Sequence, residues 1–210
     1  MLVGNDIVDL RDAESQPEAL HSRFDARVFT SVEREALRVA ASPHVLRWTL
    51  WAAKESAYKI AKKLDSEARF LWKEFSTRPT GEGRYGVVYA SHRFDVRVDR
   101  TEEWVHAVAT FASADPRSAH GRVQAGIEDL DELNTDVSRT VRNFARAALG
   151  SLIELPPRQI QIVSDRGIPV ALWQNCRLPV DLSLSHHGRF VAWACGDCPI
   201  SEDQREFVAA

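Results

Sequence analysis

Residues 45–63 read VLRWTLWAAKESAYKIAKK, and the reading of the whole chain turns on this stretch. It contains no Gly or Pro and consists mostly of strong helix formers. It ends in Lys62 and Lys63, where the negative end of a helix favours cations. The stretch is therefore expected to be a long helix. Glu55 and Lys59 stand four residues apart, so a helix puts them on one face, with Trp51 a turn earlier. An acid and a lysine on one face suit a metal ion and a phosphate together. They equally suit an ordinary surface ion pair, worth about 0.3–0.5 kcal/mol.

Working outward, residues 24–40 read as another helix, with Thr30 or Ser31 as N-cap and Pro43 as its breaker. Residues 2–10 read as a buried strand that carries Asp6 and Asp9 among Leu2, Val3, Ile7, Val8 and Leu10. Downstream, Pro79, Gly81, Gly83 and Gly86 mark turns over 78–87. GVVYA, RFDVRVD and WVHAVATFA, within 86–112, have the patterning of hairpin strands. Residues 113–122 are short of apolar side chains and read as a linker. A second helix is expected over 133–152, capped by Asp136. RQIQIVS, the turn DRG at 165–167, IPVALW and VDLSLSHHGRFVAWAC then return to strand patterning. Each half reads helix, turn, strands. The expected class is α+β, with related halves at 1–112 and 123–210 joined by 113–122.

Composition narrows the functional classes. Hydrophobic residues make up 44% of the 210, enough for a substantial core. A net charge of −3 lacks the basic excess of a general nucleic-acid binder. No stretch reaches the roughly 18 apolar residues of a membrane span, and the first residues have no leader pattern. Three cysteines, at 176, 195 and 198, are an odd set that favours a reducing compartment. Cys195 and Cys198 form a lone CxxC without a second ligand pair and read as ordinary thiols. A cytoplasmic protein that binds neither nucleic acid nor membrane is expected.

Two more clusters carry possible chemistry. Gly4-Asn5-Asp6-Ile7-Val8-Asp9 sets two acids in an apolar strand, which is costly unless they lie at an edge or meet a cation. Oxygen donors of this kind suit Mg²⁺. In Leu182-Ser183-Leu184-Ser185-His186 the leucines point one way and the serines the other. That strand either offers hydroxyls and an imidazole to a phosphate or simply has a polar face.

These pieces together resemble the 4′-phosphopantetheinyl transferase superfamily. The resemblance rests on GNDIVDL (4–10), RFDARVFTSVE (23–33), WAAKESAYK (51–59), DRGIP (165–169) and LSLSH (182–186), in the order of the holo-acyl-carrier-protein-synthase type. It implies a pseudo-dimer in a single chain, acting as a monomer with one complete site between its halves. It implies Mg²⁺ on Asp6 and Glu55, with Glu55 also helping to deprotonate the attacking serine. Lys59 is implied at the phosphates of coenzyme A. Ser185 and His186 are implied at its nucleotide end, and Gly167 and Pro169 in the loop beside the adenine. The family loop reads Gly-Lys-Pro; Ile168 replaces its lysine here, and Arg166 is the neighbouring cation. The implied partner is an apo acyl or peptidyl carrier protein of fatty-acid, polyketide or nonribosomal-peptide biosynthesis. It is expected to meet Arg23, Phe24, Arg27 and Val28. The alternative is a homologue that binds coenzyme A or a carrier protein without transferring anything, and a further one is a magnesium-dependent nucleotide phosphohydrolase.

Overall fold

The computed structural model describes residues 1–111, 123–130 and 136–197. The expected linker, the first three residues of the helix expected from 133, and Cys198 lie outside the described residues. The fold is mixed α/β. In the first half, strand β1 (Leu2–Asp9) is followed by helices α1 (Phe24–Val28), α2 (Ser31–Val39) and α3 (Pro43–Leu64). Strands β2 (Ser76–Gly81), β3 (Arg84–Tyr89), β4 (His92–Arg100) and β5 (Trp104–Phe111) complete a five-stranded sheet in the order β1-β5-β4-β3-β2. The second half runs β6 (Val123–Asp129), α4 (Val137–Leu152), β7 (Ile160–Asp165), β8 (Ile168–Trp173), β9 (Cys176–Arg177), β10 (Val180–His187) and β11 (Phe190–Asp197). These strands form two three-stranded sheets, β10-β11-β6 and β7-β8-β9.

In both halves the first strand pairs antiparallel with the last, β1 with β5 and β6 with β11, and a long helix lies between them in the chain. Each helix covers its own core. Ala52, Ala57 and Ile60 of α3 pack on Phe75, Phe94, Val105 and Ala107. Ala145 and Leu149 of α4 pack on Ile160, Leu182 and Trp193. Among the described residues no helix is long and apolar enough to cross a membrane.

Three local expectations change. The helix expected over 24–40 is broken at Phe29 and Thr30, because Thr30 heads a capping box. Its Oγ1 accepts from the Glu33 amide at 3.3 Å, and Glu33 Oε2 accepts from the Thr30 amide at 2.7 Å. Pro43 opens α3 rather than closing the helix before it; at the first turn its missing N–H costs nothing. Residues 76–81 form a strand despite Pro79 and Gly81. β2 is the edge strand, where a proline interrupts no ladder, and its register shifts between those two residues.

Candidate active site

Gly4 sets the geometry. A Cβ placed on it would lie 2.0 Å from the backbone oxygen of Ser56, so only glycine lets β1 come this close to α3. The close approach brings two lysines of α3 onto β1. Lys59 Nζ donates to the Asn5 carbonyl at 2.7 Å and stands 3.2 Å from Asp6 Oδ1. One turn on, Lys63 Nζ donates to the Val3 carbonyl at 2.6 Å, to Asp181 Oδ2 at 2.7 Å and to the Leu182 carbonyl at 2.9 Å.

The second half supplies the matching acceptors. The amides of Val3, Asn5 and Asp9 donate to Asp181 Oδ2 at 2.7 Å, Ser183 Oγ at 2.9 Å and His187 Nδ1 at 3.2 Å. Each partner lies 178 positions downstream, so β10 runs parallel to β1 in one fixed register. At Val3, Asn5 and Asp9 the free edge of β1 is thus met by side chains rather than by another backbone, which blunts the usual liability of an edge strand. Asn5 extends the seam: its Nδ2 donates to Ser185 Oγ at 2.9 Å and lies 3.3 Å from His106 Nε2.

The electrostatics follow from burial. Burial pushes Asp6 up to about 7 from 3.8; the nearby Glu55 carboxylate adds to the rise, and Lys59 opposes it. Burial holds His106 down at about 3, aided by Arg97 and Lys59, so its imidazole is neutral. Burial lowers Lys63 against the pull of Asp181. His186 is also lowered, by partial desolvation of its ring and then by Lys59 and His187, although it lies on the surface.

Beside this seam lies a cavity of about 260 Å³. From α3 it is lined by Tyr58, Lys59, Lys62 and Lys63; the β7–β8 turn contributes Arg166 to Pro169, and β10 contributes Ser183 and Leu184. Arg166 and Gly167 turn the hairpin through φ values of 50° and 83°, a left-handed pair that swings the turn toward α3. Four cations border this one cavity, and cations in such an arrangement suit phosphate oxygens.

The structure therefore brings Asp6, Glu55, Lys59, Arg166, Gly167 and Pro169 to one region. It separates Ser185 from His186. Ser185 is buried beneath Asn5 and points to the seam, while His186 emerges on the opposite face, beside Leu184. Ser183, rather than Ser185, reaches the cavity wall. Asp9 is occupied elsewhere, accepting from the amides of Arg11 at 2.9 Å and Arg189 at 3.3 Å. The sequence gives no site role to Asn5, Lys62, Lys63 or Asp181; Lys62 and Lys63 read there only as cations at a helix end. A signal existed for the lysines, since Lys59, Lys62 and Lys63 share a face at three- and four-residue spacing. Phe24 and Val28 turn inward, and Arg23 and Arg27 remain exposed.

A magnesium ion fits the acid pair on chemical grounds. Asp6 and Glu55 supply hard oxygen donors, and Glu55 helps hold Asp6 above its ordinary range, a repulsion that a cation would relieve. Among the described residues no cluster of three or more acids, histidines or cysteines could hold a metal by itself. The ion would therefore complete its shell with water and ligand oxygens, as Mg²⁺ commonly does.

A crystal structure of holo-[acyl-carrier-protein] synthase from Neisseria meningitidis is similar at 20% identity and a TM-score of 0.43, covering 52% of this chain and 97% of that one. No curated protein matches the sequence. The pattern of the 4′-phosphopantetheinyl transferase superfamily matches residues 2–109, from β1 almost to the end of β5. That span is just over half of the 210 residues and contains Asp6, Glu55 and Lys59, so the chain belongs to the 4′-phosphopantetheinyl transferase superfamily.

Proposed function

We propose that this protein moves the 4′-phosphopantetheine arm of coenzyme A onto a serine of an acyl or peptidyl carrier protein. The observation that carries the reading is Lys59, which stands 3.2 Å from Asp6 of the Asp6–Glu55 acid pair and also lines the cavity bordered by Lys62, Lys63 and Arg166. The diphosphate of coenzyme A would lie along those cations, with its adenosine end against the turn of Arg166, Gly167 and Pro169. Magnesium, when bound at Asp6 and Glu55, would neutralise charge on the diphosphate.

The serine oxygen of the carrier attacks the β-phosphorus. A new O–P bond forms, the bond from that phosphorus to the bridging oxygen breaks, and 3′,5′-ADP leaves. Glu55 takes the serine proton. Lys59, already fixed by the Asn5 carbonyl, stabilises the charge that develops on the leaving side. Phosphoryl transfer depends mainly on positioning and charge, and the β1–β10 seam would hold these groups still.

The halves share their strand–helix–strand order and their first-to-last strand pairing, which supports a pseudo-dimeric, monomeric enzyme with its site at the junction. A solution mass of one 23.6 kDa copy is expected. The deciding experiment is the intact mass of an apo carrier protein after incubation with the protein, coenzyme A and Mg²⁺. A gain of one phosphopantetheine is expected. It should disappear without Mg²⁺ and fall on the order of 10²–10⁴-fold in rate with Glu55→Ala. Coenzyme A binding with no mass gain on any carrier would favour the non-catalytic reading; release of phosphate without a carrier would favour a hydrolase.

A further inference from the structure

Away from the junction, α4 carries a second cationic cavity of about 290 Å³. Arg139, Arg142 and Arg146 line it at three- and four-residue spacing along one helix face, and Ile162 of β7 forms part of its wall. Arg142 and Arg146 are half-buried, yet among the described residues no carboxylate pairs with any of the three. The acid at the rim, Asp136, spends Oδ1 on the Arg139 amide at 2.9 Å, where it caps the helix.

Two of the guanidiniums fold back along the helix surface. Arg142 Nη1 donates to the Ser138 carbonyl at 2.8 Å and to the Ser138 hydroxyl, and Arg146 Nη2 donates to Asn143 Oδ1. Each guanidinium keeps further N–H donors beyond these bonds. Organised arginines that meet no carboxylate among the described residues offer a fork-shaped set of donors to tetrahedral oxyanions, where bidentate contacts are strongest. An ordinary solvated arginine face would show extended side chains or carboxylate partners.

We propose that this cavity is an anion site that takes the phosphate or diphosphate group of a small molecule. It does not depend on the transferase reading, since none of its residues lines the cavity at α3. Ile162 and Arg166 belong to one hairpin, so an occupant would rest against the element that also presents Arg166.

The test is titration of the full-length protein with inorganic pyrophosphate, followed by backbone amide NMR at about 0.15 M ionic strength, where weak surface attraction is screened. Two variants accompany the wild type: Arg142→Gln/Arg146→Gln, and Lys59→Ala/Lys62→Ala to silence the cavity at α3. The expected result is saturable shifts on residues 138–146 that persist in the lysine variant and weaken at least tenfold in the arginine variant. A parallel titration with ADP assigns the source: tighter binding than pyrophosphate at the same residues means a nucleotide, equal binding a bare anion. Shifts confined to α3 and the β7–β8 turn, or no saturation below about 10 mM, would overturn the proposal. Because the wild-type shift map locates binding by itself, misfolding of a variant would not spoil the test.

Discussion

Helices α3 and α4 hold the same place in their halves and carry opposite chemistry. α3 faces the junction with Glu55, Lys59, Lys62 and Lys63, and the last two turns of that face are tied to β1 and β10. α4 buries Val141, Ala145 and Leu149 and leaves its arginines outside. The difference lies in what covers each helix. Trp51 of α3 packs against Phe24 of α1 and against Phe70 and Trp72. Lys54 is sealed beneath the same cover, where it donates to Glu33 Oε2 at 2.7 Å and to the carbonyls of Val28 and Trp72. Among the described residues no helix stands between β6 and α4 to do the same. One helix thus carries a buried cation network and the other an open cationic face.

The sharpest way to break this comparison is to remove one cation from each helix. Lys54→Met strands the Glu33 carboxylate, which is buried and also accepts from the Thr77 amide at 2.7 Å. Breaking a buried pair from one side costs about 3–5 kcal/mol. Arg146→Met on α4 should stay within about 0.5 kcal/mol, since no buried partner is orphaned. Denaturant unfolding of both variants checks the contrast; equal losses would mean that α4 is held by its arginines after all.

Gly4→Ala comes next. The added methyl would collide with the Ser56 backbone, and neither the helix nor the strand has a flexible end to give way. Overpacking of this kind costs about 1–3 kcal/mol. The larger consequence is for the site, because pushing β1 from α3 pulls Asn5 and Asp6 away from Lys59. Transfer should fall more steeply than thermal stability. Loss of stability with normal transfer would show that the close approach is only packing.

Asp6 and His106 make the junction sensitive to pH with opposite signs. Asp6 titrates at about 7 in the folded chain against 3.8 for a free carboxyl, so between those values the folded state keeps a proton that the unfolded state releases. Stability from this group is lost as pH rises. His106 is held at about 3 against 6.5, so its contribution is lost as pH falls through that window. Each full titration is worth up to about 1.4 kcal/mol per pH unit, and the two slopes offset each other in the weakly acid range. Asp6→Asn removes the first. The metal-free variant should gain roughly 1–2 kcal/mol over wild type near pH 8 while losing any stabilisation by Mg²⁺. A variant less stable than wild type at that pH would mean that Lys59 needs the charge of Asp6 more than burial penalises it.

Much of this was legible in the sequence, for physical reasons that differ by element. α3 announced itself through propensity, and the hairpin strands through alternation, because both signals are local. The break at Thr30 was half visible: the capping-box pair Thr30 and Glu33 was present, but the buried role of Glu33 depends on Lys54 and Thr77, far away in sequence. The Asp6–Glu55–Lys59 group was found from motif order. The seam was not, because pairing Val3 with Asp181 and Asn5 with Ser183 is a tertiary register that no local pattern encodes. For the same reason the serines of β10 read as an outward polar row, when Ser183 caps the edge of β1 and Ser185 holds the side chain of Asn5.

The smallest expected effect concerns the carrier. Phe24 and Val28 are spent on the core around Leu37 and Trp51, so of the four residues first assigned to the docking surface only Arg23 and Arg27 remain outside. Arg23 is the N-cap of α1 and Arg27 lies one turn on, in its last turn, a spacing suited to carboxylates on a partner helix. Exposed charge pairs contribute about 0.2–1 kcal/mol each. Arg23→Glu/Arg27→Glu should therefore weaken carrier affinity by roughly tenfold, mainly through a slower on-rate that flattens as salt is raised. Coenzyme A affinity should hold, because neither residue lines the cavity at α3. If carrier affinity is unchanged in the double variant but falls on mutating Arg142 and Arg146, the carrier reads the open face of α4, and the asymmetry between the two helices has a second use.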